Sequence, residues 1–310
     1  MPFHVIVGRG ATAHNLAKLL TDAGDRVTMV SRSGEGPGNV ERVALDAGET
    51  DRLTDLAQGA DTLFNLAMPA YHTWPETVPP LFGSIQTAAE RTDATYVMLS
   101  NLYGYGPVEG TLTEDHPLAA TGPKGKVRAQ MWLNAKAAHD AGRIRVTEIR
   151  AGQFIGAGAF SIFNAMVQPK VLAGLLALVP AAVDVPHSFT SVDDAAAALY
   201  AVAHDERALG QAWHAPMVVH SVREMAERLA DLADAPPPRV EEMSDRELTL
   251  LGNTAPIWEE LWETHHMSHR PFVVDSTRIT DTFGVKPTPL DETLKASLTG
   301  TDDTRALTNA

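Results

Sequence analysis

The chain contains no cysteine. That excludes disulfides, a thiolate nucleophile and any cysteine-ligated metal, and it is compatible with a reducing compartment. Aromatic residues are scarce, at 6%. Positive charge is in deficit, with 25 Lys and Arg against 39 Asp and Glu, a net −14 and a pI near 5.2. Such a balance argues against a nucleic-acid surface or an anionic membrane, while leaving room for a local basic pocket. Long hydrophobic runs are also missing. The longest apolar stretch, VLAGLLALVPAAVDVP at 171–186, is broken by Pro180 and carries Asp184. It falls short of the roughly 18 residues that a membrane span needs. The first residues, MPFHVIVG, lack a basic region followed by a long apolar run, so they read as a strand rather than a signal peptide. There is no internal repeat, and low complexity is confined to APPPR at 235–239, read as a turn between lobes. The expectation is a soluble, cytoplasmic monomer or homodimer whose partner is a small molecule, not nucleic acid or membrane.

What is present is enough apolar residue for a large core: 44% of 310 residues. Short apolar runs alternate with helical patterns. The runs at 3–8, 26–32, 39–46, 61–68, 94–100 and 145–152 read as strands. The stretches at 14–24, 51–59 and 126–142 read as helices. Buried strands alternating with helices predict an α/β fold, a Rossmann-like doubly wound parallel sheet with a smaller C-terminal lobe. Residues 1–158 and about 187–220 are assigned to the dinucleotide-binding domain. Residues about 159–186 and 221–299 are assigned to a substrate or lid lobe, and 300–310 to a polar tail.

IVGRGATA at 6–13 places Gly8, Gly10 and Ala13 in the pattern GxGxxA, directly after a strand and at the opening of a helix. The first glycine permits a tight turn, the second lets backbone approach a pyrophosphate, and the third position needs a small residue for helix–strand packing. The following helix offers free N–H groups to phosphates. The end of the second strand then selects the cofactor. Where NAD enzymes carry an acid, this chain has Ser31, Arg32 and Ser33. An arginine fork with two hydroxyls suits a 2′-phosphate, and Arg9 inside the glycine loop is placed to close on it. NADP(H) is therefore expected. Asp46, ending the third strand, is placed to meet the adenine edge or to serve as an ordinary strand-end carboxylate.

With these motifs in view, the chain resembles an extended or atypical short-chain dehydrogenase/reductase of the NAD-dependent epimerase/dehydratase type. Six segments carry the likeness in order: DTLFNLAMP (61–69), VMLSNLYGYGP (97–107), IRAGQFIGAG (149–158), HSFTSVDDAAAAL (187–199), GQAWHAP (210–216) and DSTRITDTFGVKPTPLDETL (275–294). The resemblance implies that the end of strand four, with Ala67, touches the cofactor ribose. It also implies that 149–158 lies beside the nicotinamide. The family's serine, tyrosine and lysine fall on Asn101 (with Ser100 just before it), Lys124 and Arg128, so all three differ here. By position Arg128 would hold the nicotinamide ribose.

Several readings of the missing tyrosine stay open. Tyr103, or Lys124 itself, supplies the proton, Tyr105 matching a structural position instead. Alternatively, substrate or water protonates the oxygen, as in the tyrosine-less ketoreductases of angucyclinone (simocyclinone-type) biosynthesis that the chain resembles. A third reading is an NADP-binding sensor or scaffold without redox chemistry, and a fourth an epimerase or dehydratase. Lys124, Lys126 and Arg128 crowd a helix start, where the dipole disfavours cations, so they point to a nearby anion or to a solvated face. The preferred expectation is an NADPH-dependent ketoreductase reducing a carbonyl of a bulky aromatic, polyketide-like molecule in antibiotic or other secondary-metabolite biosynthesis.

For substrate contacts, Tyr71, His72 and Trp74 follow strand four and are candidates to stack on a flat ligand. Phe154, Phe160, Phe163, Met166, Leu172 and Leu176 are candidate pocket lining or ordinary core. Trp258 and Trp262 suggest an aromatic lid. His265 and His269 stand one helical turn apart, but no carboxylate or cysteine pattern completes a site there, and no metal is expected.

Overall fold

The computed structural model describes residues 1–299; the expected tail at 300–310 lies outside the described residues. In chain order the strands are β1 (Phe3–Val7), β2 (Arg26–Ser31), β3 (Glu41–Ala44), β4 (Thr62–Asn65), β5 (Thr95–Ser100), β6 (Val146–Arg150), β7 (Phe154–Ile155), β8 (Leu176–Val179), β9 (His187–Ser191), β10 (Ala212–His214), β11 (Val218–His220) and β12 (Arg239–Glu242). Seven form one sheet in the order β3-β2-β1-β4-β5-β6-β10, and every pairing is parallel. The fold is thus a Rossmann-like doubly wound α/β sheet. The chain winds from β1 out to β3, then restarts at β4 on the other side of β1. That reversal opens a crevice at the carboxyl ends of β1 and β4, where ligands bind in such sheets.

The sheet forms where the sequence is apolar on both faces. All five residues of β1 and all of β4 are buried, as a strand covered by helices on each side requires. The covering helices are α1 (Ala11–Asp22), α2 (Thr50–Leu56), α3 (Trp74–Thr92) and α4 (Pro123–Asp140), followed by α5 (Gln168–Leu172), α6 (Val192–Ala203) and α7 (Val222–Ala233). Helix α1 starts at Ala11, earlier than its apolar periodicity suggests, because Gly10 already serves as its N-cap. Helix α3 has no counterpart among the expected elements, since prolines 75, 79 and 80 obscure it. Yet Trp74, Val78, Phe82, Ile85, Ala88 and Ala89 recur at helical spacing and are buried. Pro75 falls in the first turn, where an N–H has no intrahelical partner to lose.

The remaining strands make two small sheets, β11-β9-β7 and β12-β8. Between them and helices α5 and α7 lies a separate apolar cluster including Phe163, Val171, Met225, Leu229, Val240 and Leu294. The run that joins this region to the large sheet is α6. Ser191 caps it by accepting the N–H of Asp194, and Asp193 accepts a 2.7 Å hydrogen bond from Asn15 of α1. The buried carboxylate of Asp194 accepts the N–H of Thr288 at 2.9 Å and its hydroxyl at 2.6 Å. No helix is long and apolar enough to cross a membrane among the described residues.

Asp194→Ala removes the acceptor for two groups of Thr288 at once. Hydrogen bonds to a charged acceptor contribute about 1.5–3 kcal/mol, so urea unfolding of the variant is expected to show stability lower by about 2–3 kcal/mol. A loss under about 0.5 kcal/mol would show that this contact is incidental.

Candidate dinucleotide and substrate site

Gly8 follows β1 with φ +132°. A Cβ there would stand 2.6 Å from the carbonyl oxygen of Leu66, just past β4. Only glycine fits, because the backbone conformation and the neighbouring strand both exclude a side chain. Gly10 caps α1 in an extended conformation without any side-chain hydrogen bond, and nothing lies within 4 Å of where its Cβ would be. The helix therefore presents unsatisfied N–H groups to an open space. Ala13 is buried against the core. Across this space, a Cβ on Gly158 would stand 3.3 Å from that of Ala11, so the loop after β7 closes on the start of α1. Ala67 borders the same crevice, its N–H donating to Asn65 Oδ1 at 3.1 Å. A cradle that a Cβ would fill, next to an uncapped helix start, fits the pyrophosphate of a dinucleotide.

At the end of β2 the geometry corrects the reading that no acid is present. Gly34, with φ +70°, turns the chain back and brings Glu35 to Arg9, with Nη1 2.7 Å from the carboxylate. The Ser33 hydroxyl donates to the same carboxylate at 3.0 Å, and the Ser31 hydroxyl to the Glu35 carbonyl at 3.2 Å. Arg9 is thus paired with a carboxylate rather than held free for a phosphate. The pair is 60% and 63% exposed, and exposed pairs contribute at most about 1 kcal/mol. Arg32 is exposed beside it. Asp46 is exposed and accepts the Gly48 N–H at 2.9 Å, the ordinary strand-end role.

The start of α4 carries the second half of the site. Lys124 is 1% exposed. Its Nζ contacts Glu260 and lies 2.8 Å from Glu263, while Glu263 also accepts the N–H of Gly125 at 2.9 Å. The anion that the cationic cluster at 124–128 called for is therefore supplied, for Lys124, by the chain itself. Neither glutamate was a sequence candidate. Each sits among other acids in a segment with no recognisable motif, and only the tertiary fold reveals its partner. Glycine again permits the approach, since a Cβ on Gly125 would meet the Tyr103 carbonyl oxygen at 2.6 Å.

Tyr103, in the turn after β5, lies beside Lys124. Its hydroxyl accepts a hydrogen bond from Tyr71 at 3.1 Å. Burial pushes both phenols well above the ordinary tyrosine range, and for Tyr71 the neighbouring Tyr103 adds to the shift. Trp74 stacks on Tyr103 with centroids 6.0 Å apart and meets Tyr71 edge-on at 5.0 Å. Trp74 is itself buried in the core cluster, so it is no platform for a flat ligand; it builds the wall behind Tyr103. His72 is exposed one residue beyond Tyr71.

Arg128, one turn after Lys124, is 2% exposed and lies 4.3 Å above the Trp74 ring and 5.1 Å from that of Phe82. Its Nη2 faces the Met68 sulfur, at 3.4 Å. Nε and Nη1 are buried with no hydrogen-bond partner among the described residues. Burial lowers its pKa to about 10, so it remains a cation at neutral pH. A buried guanidinium with two idle nitrogens is costly unless an anion completes it.

The other candidates are more dispersed. Ser100 is buried at the end of β5, and the Asn101 side chain accepts the Tyr103 N–H at 3.1 Å, holding the turn. Tyr105 is locked between Arg150, at 2.6 Å, and His214, at 2.9 Å. Phe154 is half-buried against the main core and Phe160 is exposed. Trp258 is half-buried; Trp262 is exposed and stacks on His265, whose ring lies 3.6 Å above that of His269. The contacts this segment makes with Lys124 come from Glu260 and Glu263, not from the tryptophans. Gln153, after β6, adopts φ +46°. Such backbone strain in a non-glycine residue often marks a functional edge, and no pattern in the sequence announces it.

No protein-family model matches the chain, and no curated protein matches its sequence. Solved structures do match in fold. UDP-glucose 4-epimerase from Thermotoga maritima, with UDP-glucose, superposes with a TM-score of 0.78 at 13% identity, covering 99% of this chain and 100% of its own. MoeE5 in complex with UDP-glucuronic acid and NAD gives 0.77 at 19% identity, covering 95% and 97%. DesIV, a dTDP-glucose 4,6-dehydratase from Streptomyces venezuelae, gives 0.72 at 16% identity with NAD and TYD bound, covering 94% and 96%. The chain shares their fold over 94–99% of its length.

Arg128→Met tests whether the guanidinium waits for a ligand. Leaving buried donors unsatisfied costs about 1–3 kcal/mol, and an apolar replacement can recover part of that. The ligand-free variant is expected to be as stable as the parent or more so in urea, while dinucleotide affinity falls tenfold or more. Marked destabilisation with unchanged affinity would make Arg128 a structural residue.

Proposed function

We propose that the protein is an NADP(H)-dependent ketoreductase of the atypical short-chain type, reducing a carbonyl on a bulky aromatic, polyketide-like molecule. The observation that carries this reading is the Lys124–Glu260–Glu263 group, which stands at the position of the family's tyrosine beside a dinucleotide cradle. When bound, the cofactor would supply the hydride. Gly8, Gly10 and the start of α1 would hold its pyrophosphate, Ala67 and the 152–158 loop its ribose and nicotinamide side.

The residues present suit reduction better than oxidation. Oxidising a sugar hydroxyl needs a base at neutral pH. Tyr71 and Tyr103 are kept protonated by burial, and Lys124 is held between two carboxylates. Reducing a ketone needs a positioned carbon and a stabilised oxygen. The Tyr103 hydroxyl accepts from Tyr71, which leaves its own proton to point at a carbonyl, and Arg128 lies nearby to stabilise negative charge as it develops. Positioning alone supplies up to about 7–11 kcal/mol, whereas a proton-donating side chain contributes only about 10²–10⁴-fold. Protonation by water or by a phenol of the substrate is then sufficient.

A second reading is a sugar-nucleotide epimerase or dehydratase, favoured by fold neighbours solved with UDP-sugars and NAD. The substrate separates the two. NADPH oxidation against a panel of phenolic polycyclic ketones is expected to proceed, with Tyr103→Phe still active. Turnover of UDP-glucose or dTDP-glucose, with all ketones inert, would reverse the assignment. Inactivity towards both classes would favour a cofactor-binding sensor. Complete loss of activity in Tyr103→Phe, with cofactor still bound, would make Tyr103 the relocated acid.

Cofactor choice rests on opposing groups. Arg9 and Arg32 favour a 2′-phosphate, and Glu35 favours ribose hydroxyls. Because the Arg9–Glu35 pair is exposed and exchangeable, the arginines are expected to prevail. Titration should give tighter NADPH than NADH in the parent, a lost preference in Arg32→Ala and a larger one in Glu35→Gln. Equal parent affinities would overturn the NADP assignment.

A further inference from the structure

At the end of the sheet away from the glycine loop, three side chains from distant parts of the chain converge. His4 lies in β1, Asp25 precedes β2, and His204 follows α6. Asp25 Oδ2 is 3.4 Å from His4 Nε2 and 3.7 Å from His204 Nε2. One atom from each of the three residues lies within 4.8 Å of the others. His4 is buried, and neither of its ring nitrogens has a hydrogen-bond partner among the described residues. His204 Nδ1 is 2.7 Å from the Tyr200 carbonyl oxygen. A carbonyl can only accept, so Nδ1 donates there, and Nε2 is the nitrogen that faces Asp25. A carboxylate oxygen and two imidazole nitrogens therefore converge on one spot, and the buried imidazole makes no hydrogen bond among the described residues. Such an arrangement calls for a cation between them.

We infer that His4, Asp25 and His204 form a binding site for a divalent metal ion of the zinc class. Two imidazoles and one carboxylate are a donor set that zinc and its first-row neighbours accept. A tetrahedral ion with ligands at about 2.0–2.1 Å sets them roughly 3.3–3.4 Å apart, close to the two separations measured. His204 stands at an exposed helix end. The hydrogen bond from its Nδ1 to Tyr200 orients the ring and fixes the tautomer, as the outer partners of metal-bound histidines do. A water would complete the coordination. The site is remote from Gly8 and Lys124. Its role is to fasten the start of β1, the turn before β2 and the end of α6 to one another, residues as far apart in sequence as 4 and 204.

The test uses untagged protein stripped with EDTA, titrated with zinc by calorimetry and with cobalt by visible absorption. One equivalent should bind, and cobalt should give the intense bands of a tetrahedral centre. The melting temperature should rise by roughly 5 °C at a hundredfold excess over Kd. His204→Gln, at the exposed helix end, should weaken binding at least tenfold. Asp25→Asn provides the same test if His204→Gln melts abnormally without metal. His265→Gln with His269→Gln should leave binding unchanged. Absence of stoichiometric binding overturns the inference, as does binding that survives His204→Gln and disappears with the His265 and His269 changes. A protein that ignores metal but gains stability on acidification through the histidine range holds a proton in that place, and the metal assignment then fails.

Discussion

A lysine with almost no exposed surface must find carboxylates, and this requirement organises the site half of the molecule. Lys124 lies in the first turn of α4, where the helix dipole already disfavours a cation. Breaking a buried pair by removing one partner typically costs about 3–5 kcal/mol, so Glu260 and Glu263 are bound to this spot. Holding them there draws the segment around 256–268 against the turn at Tyr71 and the turn that carries Tyr103.

The proposed chemistry differs from proton transfer by a tuned tyrosine. A tyrosine acts as an acid–base group when neighbouring positive charge lowers its pKa. Here the lysine that would do so is shared between two carboxylates, and burial drives both available phenols the other way. What is left is a cradle for a dinucleotide, hydroxyls fixed as donors and one uncompensated cation. These groups can place a carbonyl and stabilise its oxygen, but none of them is an effective base.

Much of this was legible in the residues. The alternation of apolar runs and helical patterns gave the parallel sheet, because strands buried on both faces must be apolar throughout. Gly8, Gly10 and Ala13 announced the cradle because close backbone approach leaves only small residues as solutions. Contacts made at long range were not. Glu35 reaches Arg9 only because Gly34 reverses the chain, and Glu260 meets Lys124 across 136 positions. Helix α3 escaped notice because its prolines speak against a helix locally, while its buried face, Trp74 through Ala89, is fixed by packing. Trp74 looked like a ligand platform because sequence cannot tell a stacked wall from a stacked substrate.

The same long separations set an order on how the molecule is made. Synthesis delivers the glycine loop, β1 to β6 and the start of α4 well before Glu260 and Glu263 exist. Through that interval Lys124 has no counter-charge, so α4 cannot seat its first turn in the core without leaving an ammonium group uncompensated. The nascent sheet must either keep that turn open to water or wait for the C-terminal segment. The crevice is therefore among the last parts to close, and a chain cut short before residue 260 would have the whole cofactor cradle yet lack the ion pairs that seal the site beside it.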